Sequence, residues 1–286
     1  MSFENQTDFS YSRFPVRVRA HCNPLADDGL DIPTNPSEMD WSPFYPHFFQ
    51  EEGQDAFPGV QFLDVGCAYG GGVVCMSQEF PDKIILGVEI RMKVAQYALQ
   101  RIERLRQGEP DEYTEKMFKR LGRTEKRAEG PFPPFQNCSI MRSNAMRYLP
   151  FYFRKGQLEK MFFCFADPHF KKRNHSRRII SRFLLDEYAY VLAPEGMIYI
   201  ITDVEDLFNW MDSSLQSHPL FERVPEEELV EDLILPIIKT CSEDAQRTLE
   251  KNLPEYYSVF RRLPNQKVGS SMEVDGEQPE ASSSSS

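Results

Sequence analysis

Short apolar runs alternate with amphipathic stretches from Val60 onward. Val60 to Val65, Ile84 to Glu89, Ser139 to Arg142, Lys160 to Phe165 and Met197 to Ile201 have strand length and composition. Gly72 to Phe80, Lys93 to Arg106, His175 to Leu192 and Asp203 to Ser217 carry the helical spacing. Tyr256 to Arg262 is rich in β-favouring aromatics and is expected as a final antiparallel strand. Strand and helix in regular alternation predict an α/β fold: a mostly parallel sheet with helices on both faces.

Three segments depart from that rhythm. Residues 1–57 are rich in proline and show neither period, so they read as an irregular arm with a short helical turn near Ser37 to Trp41. Arg13, Arg17 and Arg19 make its first part basic. Residues 58–264 then form the main domain, within which 107–134 is charged, ends in Pro131, Pro133 and Pro134, and reads as a surface insertion. Residues 265–286 are Ser- and Glu-rich and close on five serines, too polar to bury a core, so a disordered tail is expected.

Composition changes the picture in few places. Apolar runs such as Met197 to Ile201 fall far short of the ~20 residues a spanning helix needs, so no membrane segment is expected. The first residues lack a secretory signal, and an intracellular address, nucleus or cytosol, is expected. Six scattered cysteines form neither a C-x-x-C pair nor a zinc-spaced cluster, so reduced, mostly buried thiols and no metal are expected. The net charge of −11 argues at first against a polyanionic partner. Its distribution answers that objection, because the stretch from Asp203 to Glu255 alone carries −10. Pro168 to Leu185, by contrast, holds Lys171, Lys172, Arg173, Arg177, Arg178 and Arg182 without one acid.

The candidate chemistry begins at Asp64-Val65-Gly66-Cys67-Ala68-Tyr69-Gly70-Gly71-Gly72, a glycine-rich turn between a strand and a helix. Glu89 ends the next strand, where a carboxylate can accept hydrogen bonds from both ribose hydroxyls of a nucleoside. A merely structural tight turn is the alternative. The spacing is not the G-x-G-x-x-G that seats a diphosphate, and Asp64 would repel one while attracting a cationic amino acid moiety. S-adenosylmethionine is therefore favoured over a nicotinamide dinucleotide.

Asp167 follows the fourth strand, beside the point where open α/β sheets bind ligands. Pro168 biases it towards an extended backbone, so its carboxylate should project into the cleft, the alternative being a cap on the next turn. His169 and His175 fit surface or phosphate-contact roles. The adjoining Lys/Arg run is either a solvated helix face or an RNA contact.

These residues together carry a resemblance. Arg19-Ala20-His21-Cys22-Asn23-Pro24, Glu38-Met39-Asp40-Trp41, Gly87-Val88-Glu89-Ile90-Arg91, Arg142-Ser143-Asn144-Ala145-Met146, Asp167-Pro168-His169-Phe170-Lys171 and Tyr199-Ile200-Ile201-Thr202-Asp203-Val204 resemble, in order, the motifs of the eukaryotic tRNA (guanine-N7-)-methyltransferases. The match runs from about Arg17 to Arg262. It implies a Rossmann-like class I methyltransferase fold and methyl transfer from S-adenosylmethionine to N7 of a guanine in tRNA. It further implies that Gly66, Glu89, Ile90, Arg91, Asn144, Ala145 and Cys164 line the cofactor pocket and that Asp167 is catalytic. Ser242-Glu243-Asp244 matches a Thr-Glu-Glu triplet of the family, which adds Ser242 and Asp244 to the pocket. His169, Lys171, Lys172 and Arg173 are expected to meet RNA, and a WD-repeat subunit is the implied partner. Ala68 and Ala166 stand where the family has glycine and proline, and the insertion is longer than the family's. A catalytically impaired RNA-binding scaffold of the same fold is the alternative those departures raise.

Overall fold

A computed structural model describes residues 22–26, 29–50, 57–122 and 129–265. The basic arginines Arg13, Arg17 and Arg19 and the Ser-rich tail lie outside them, apart from Asn265.

Seven strands form one sheet: β1 (Phe62–Val65), β2 (Ile85–Glu89), β3 (Cys138–Arg142), β4 (Leu158–Cys164), β5 (Leu192–Thr202), β6 (Phe221–Arg223) and β7 (Tyr256–Arg262). Their order is β3-β2-β1-β4-β5-β7-β6, with β7 antiparallel to both neighbours and the others parallel. Alternate residues serve opposite faces, as a pleated strand requires. Leu63, Val65, Met161 and Phe163 enter one core with Leu149, Leu185, Tyr188 and Met211. Phe62, Phe162 and Cys164 enter or border the other, with Val73, Val74, Ala98 and Ile102. The expected architecture is therefore present, including the antiparallel last strand.

The helices are α1 (Gly71–Glu79), α2 (Met92–Arg106), α3 (Glu112–Arg120), α4 (Ala145–Tyr152), α5 (Arg182–Val191), α6 (Glu205–Gln216), α7 (Ile234–Ile238) and α8 (Glu243–Glu250). Sequence reading missed α3, α4, α7, α8 and β6. Pro150 inside α4 and the shortness of α7 and β6 hide their periods. The helix expected from His175 starts later: Lys172–Arg177 is a 3-10 turn, and the backbone is extended at Arg178 and Ser181.

The arm is more than an irregular lead-in. Beyond a 3-10 turn at Pro36–Glu38, Tyr45 is fully buried and its hydroxyl donates to the Ile85 carbonyl at 3.0 Å. The insertion is likewise no surface appendage, since Met117 of α3 is fully buried and α3 packs on α1.

Candidate active site

β1 turns towards β2 on one side and β4 on the other, so the chain reverses its winding between β1 and β4. Ligands of open parallel sheets sit outside the carboxyl ends of the strands at such a point. Gly66 follows β1, Glu89 closes β2 and Asp167 comes three residues after β4, so the three predicted anchors share that edge.

The turn after β1 is pinned to β2. Gly66 N and Cys67 N both donate to the Val88 carbonyl, at 2.8 and 3.2 Å, with Gly66 at φ +80°. Gly70 N closes the turn onto the Cys67 carbonyl at 2.9 Å, and Gly70 is the N-cap of α1. Ala68 sits at φ +47°, where a side chain costs about 1 kcal/mol. Alanine is thus small enough for the loop, but held there against its preference. Gly71 is required for a different reason: a Cβ there would lie 2.2 Å from the Cys241 carbonyl oxygen, so the residues before α8 press directly on the loop.

Carboxylates crowd this edge. Asp64 is buried beneath the loop, and its Oδ1 has no hydrogen-bond partner among the described residues. Burial, then the charges of Glu89 and Glu243, push its carboxyl up to about 7. Glu89 is 2% exposed. Its Oε1 accepts from Arg91 N at 2.8 Å and Arg91 Nε at 3.1 Å, and its Oε2 accepts from Arg91 Nη2 at 2.8 Å. Glu243 is pushed up to about 7 by burial, with Arg101 opposing, and its Oε2 also has no partner among the described residues. Asp244 is raised by burial, against Arg247 and Arg91. Four acids around one turn, two with buried unmatched oxygens, fit a ligand that brings positive charge.

The remaining pocket residues are placed unevenly. Ile90 follows Glu89 directly and is half-buried, and Cys164 ends β4 with its thiol raised by burial and by Asp64. Ala145 begins α4, buried. Asn144 is buried, and both ends of its amide are engaged: Oδ1 accepts from Met146 N at 3.1 Å as the cap of α4, and Nδ2 donates to Pro24 O at 2.7 Å. Its side chain ties the arm to the sheet edge. Ser242 caps α8 by accepting from Ala245 N at 3.0 Å.

After β4 the backbone bends sharply. Phe165 N donates to the Ile201 carbonyl at 2.7 Å, and Phe165 and His169 both take positive φ. Asp167 is 26% exposed and accepts from His169 N at 3.2 Å, so the carboxylate caps its own turn and stays partly open to solvent. His169 is 10% exposed, with Nδ1 3.7 Å from Asp167 Oδ2. His169 is thus far more covered than the lysines that follow it. Lys171, Lys172, Arg173 and Arg182 are exposed as expected. Arg178 is not: at 1% exposure it donates through Nε to the Pro168 carbonyl at 2.9 Å and pairs through Nη2 with Asp206 at 2.6 Å. Sequence reading missed Arg178, Arg101 and Glu243 as site residues, because nothing in a run of charges tells which one turns inward. None of the six cysteines is in a disulfide, and no metal-holding cluster of three occurs among the described residues.

Known proteins resemble this chain in sequence. Residues 58–257 match the family described as "Putative methyltransferase". A tRNA (guanine-N(7)-)-methyltransferase of Bombyx mori is 46% identical over 247 residues, covering 86% of this chain and 93% of that protein. The Candida glabrata enzyme of the same name is 44% identical over 264 residues, covering 92% and 85%. The Danio rerio enzyme is 45% identical over 247 residues, covering 86% and 93%.

Proposed function

The chain belongs to the tRNA (guanine-N(7)-)-methyltransferase family, and we propose on that premise how its own residues carry the reaction. It transfers a methyl group from S-adenosylmethionine to N7 of a guanine in tRNA. The observation that carries the reading to this site is Asp64, buried with an unmatched oxygen among Glu89, Glu243 and Asp244, on the edge that also presents Asp167.

When bound, S-adenosylmethionine supplies a methyl group on a positively charged sulfur. Gly66 would leave the backbone bare for its close approach, and Glu89 would accept from its ribose hydroxyls. Asp64 and Asp244 would offset its cationic amino acid end. Ile90, Ala145 and Cys164 would line the side of the base, and Ser242 caps the start of α8. Asn144 acts through the backbone it caps.

Guanine N7 has a lone pair and no proton, so its attack needs no general base. The residues have only to align two partners and offset charge that moves onto the purine. Asp167 accepts from the N1-H and N2-H edge of the guanine, which points N7 at the donor. Lys171, Lys172 and Arg173 hold tRNA phosphates beside that edge. A WD-repeat subunit that shares the grip on tRNA, and a nuclear address with the cytoplasm as a second, belong to the same reading. Among the described residues no helix is long and apolar enough to cross a membrane.

The impaired-scaffold alternative finds little support, because Ala68 leaves the loop's hydrogen bonds to Val88 in place and the Asp167 carboxylate stays partly exposed after β4. The deciding experiment is to treat unmodified tRNA with the purified chain, with and without a WD-repeat subunit, and map N7-methylguanosine. Its absence under both conditions would remove the proposal.

A further inference from the structure

The insertion that separates α2 from β3 reaches the glycine loop through one side chain. Arg101, on α2, is 4% exposed. Its Nε donates to Asp111 Oδ2 at 2.8 Å and its Nη2 to Thr114 Oγ1 at 3.1 Å, both in the insertion. Its Nη1 donates to the Tyr69 carbonyl of the loop at 3.1 Å and lies 3.4 Å from Glu243 Oε1 at the start of α8. The guanidinium also stands over the Tyr113 ring, 4.7 Å from its centre. One planar fork therefore joins three segments far apart in sequence, a geometry that lysine's single ammonium cannot reproduce.

α3 touches the pocket at two further levels. The Tyr113 ring carbon Cε1 lies 3.3 Å from where a Cβ on Gly71 would sit, so the insertion walls the first residue of α1. Along the outside, Lys116 and Arg120 pair with Glu250 of α8 at 3.8 and 3.6 Å. The loop needs such support. Ala68 holds a left-handed backbone beside Tyr69, and strain of that kind persists only where the surroundings enforce it.

We propose that α3 is a working part of the donor pocket, and that Arg101 is the positioning residue through which it holds the Tyr69 carbonyl and Glu243 in place for S-adenosylmethionine. The inference rests on the cofactor assignment above. Asp111 supplies the charge that keeps the fork oriented, and it also caps α3 through Thr114 N. Those two duties can be separated, because asparagine caps as well as aspartate but carries no charge.

The test is calorimetric titration of the full-length chain with S-adenosylmethionine, for wild type, Asp111→Asn and Arg101→Lys. tRNA affinity, kcat and KM for the donor are read on the same samples, well below their melting temperatures. The dissociation constant for S-adenosylmethionine is expected to rise about threefold in Asp111→Asn and about tenfold or more in Arg101→Lys. KM for the donor should follow, while kcat and tRNA affinity stay within about twofold, a split that general loosening of the fold would not produce. Donor affinity equal to wild type in both variants overturns the inference, as does a parallel loss of donor and tRNA affinity. If Arg101→Lys fails to fold, Asp111→Asn decides alone. A wild-type chain that does not bind S-adenosylmethionine overturns the cofactor assignment itself, and the first titration reads that before any variant is made.

Discussion

The Nε of Arg178 donates to the carbonyl oxygen of Pro168 at 2.9 Å, so the residue next to Asp167 is held by a buried cation. Asp206 takes the other end of the guanidinium, and the Trp210 ring lies 4.9 Å beneath it. Arg178 therefore belongs to the support of the Asp167 turn, although in sequence it sits among cations suited to RNA.

Arg178→Lys should lower single-turnover methylation by about tenfold to a hundredfold, the usual effect of a small misplacement at a reacting centre. Donor affinity and the salt dependence of tRNA binding should stay unchanged. A shallower salt slope would return Arg178 to the RNA-contact set and defeat this account.

Asp167→Ala should abolish methylation while calorimetry still detects S-adenosylmethionine binding, because the carboxylate acts on the purine. Simultaneous loss of both would mean that Asp167 belongs to the donor pocket. Substitution by asparagine keeps the turn's cap on His169 N but turns an NH2 donor towards the guanine N1-H and N2-H donors, so loss of methylation with donor binding intact is expected there too.

Reversing the charge at Lys171, Lys172 and Arg173 together should weaken tRNA binding and flatten the plot of log affinity against log salt by roughly 0.7 to 0.9 per lost phosphate contact. Donor affinity should not move. Filter binding between low and moderate salt reads the slope, and an unaltered slope would reject these three residues.

Asp64 and Glu243 give the pocket a pH dependence of defined sign. Each has a carboxyl pushed up to about 7, above its ordinary value. For an acid so raised, the stability linked to its proton is complete below the ordinary carboxylate range and is lost as pH rises through about 7. Between about pH 4 and 7, from the ordinary carboxylate range up to the raised values, these two groups therefore make the cofactor-free chain less stable as pH rises. A cationic ligand reverses their preference, so binding of S-adenosylmethionine should release protons near pH 6.5 and tighten towards pH 8. Calorimetry in buffers of different ionisation enthalpy counts the protons, and a pH-independent affinity without release would refute the role given to Asp64.

Much of the sheet is legible in the sequence. β1, β2, β3 and β7 lie within a residue or two of their sequence-based bounds, because strand-length apolar runs ended at turn-forming residues. α3 and α8 escaped notice although both are amphipathic, since each is short and rich in charge, and only the neighbours they pack on make them helices. β5 was read as five residues and spans Leu192–Thr202, its first part set off by the register shift between Leu158 and Lys160 on β4.

By itself the chain's order of residues determined the α/β alternation, the glycine turn with Glu89 one strand later, and Asp167 at the end of β4. Those are local matters: a period, a bare backbone, a carboxylate at a strand's end. Tertiary structure alone decided which cations face inward and which outward, making Arg178 and Arg101 internal struts while Lys171, Lys172 and Arg173 stayed in solvent. It also decided that Asp64 and Glu243 share one pocket across most of the chain. The reason is that burial and the nearest opposite charge are set by which segments meet, and no local pattern carries that information.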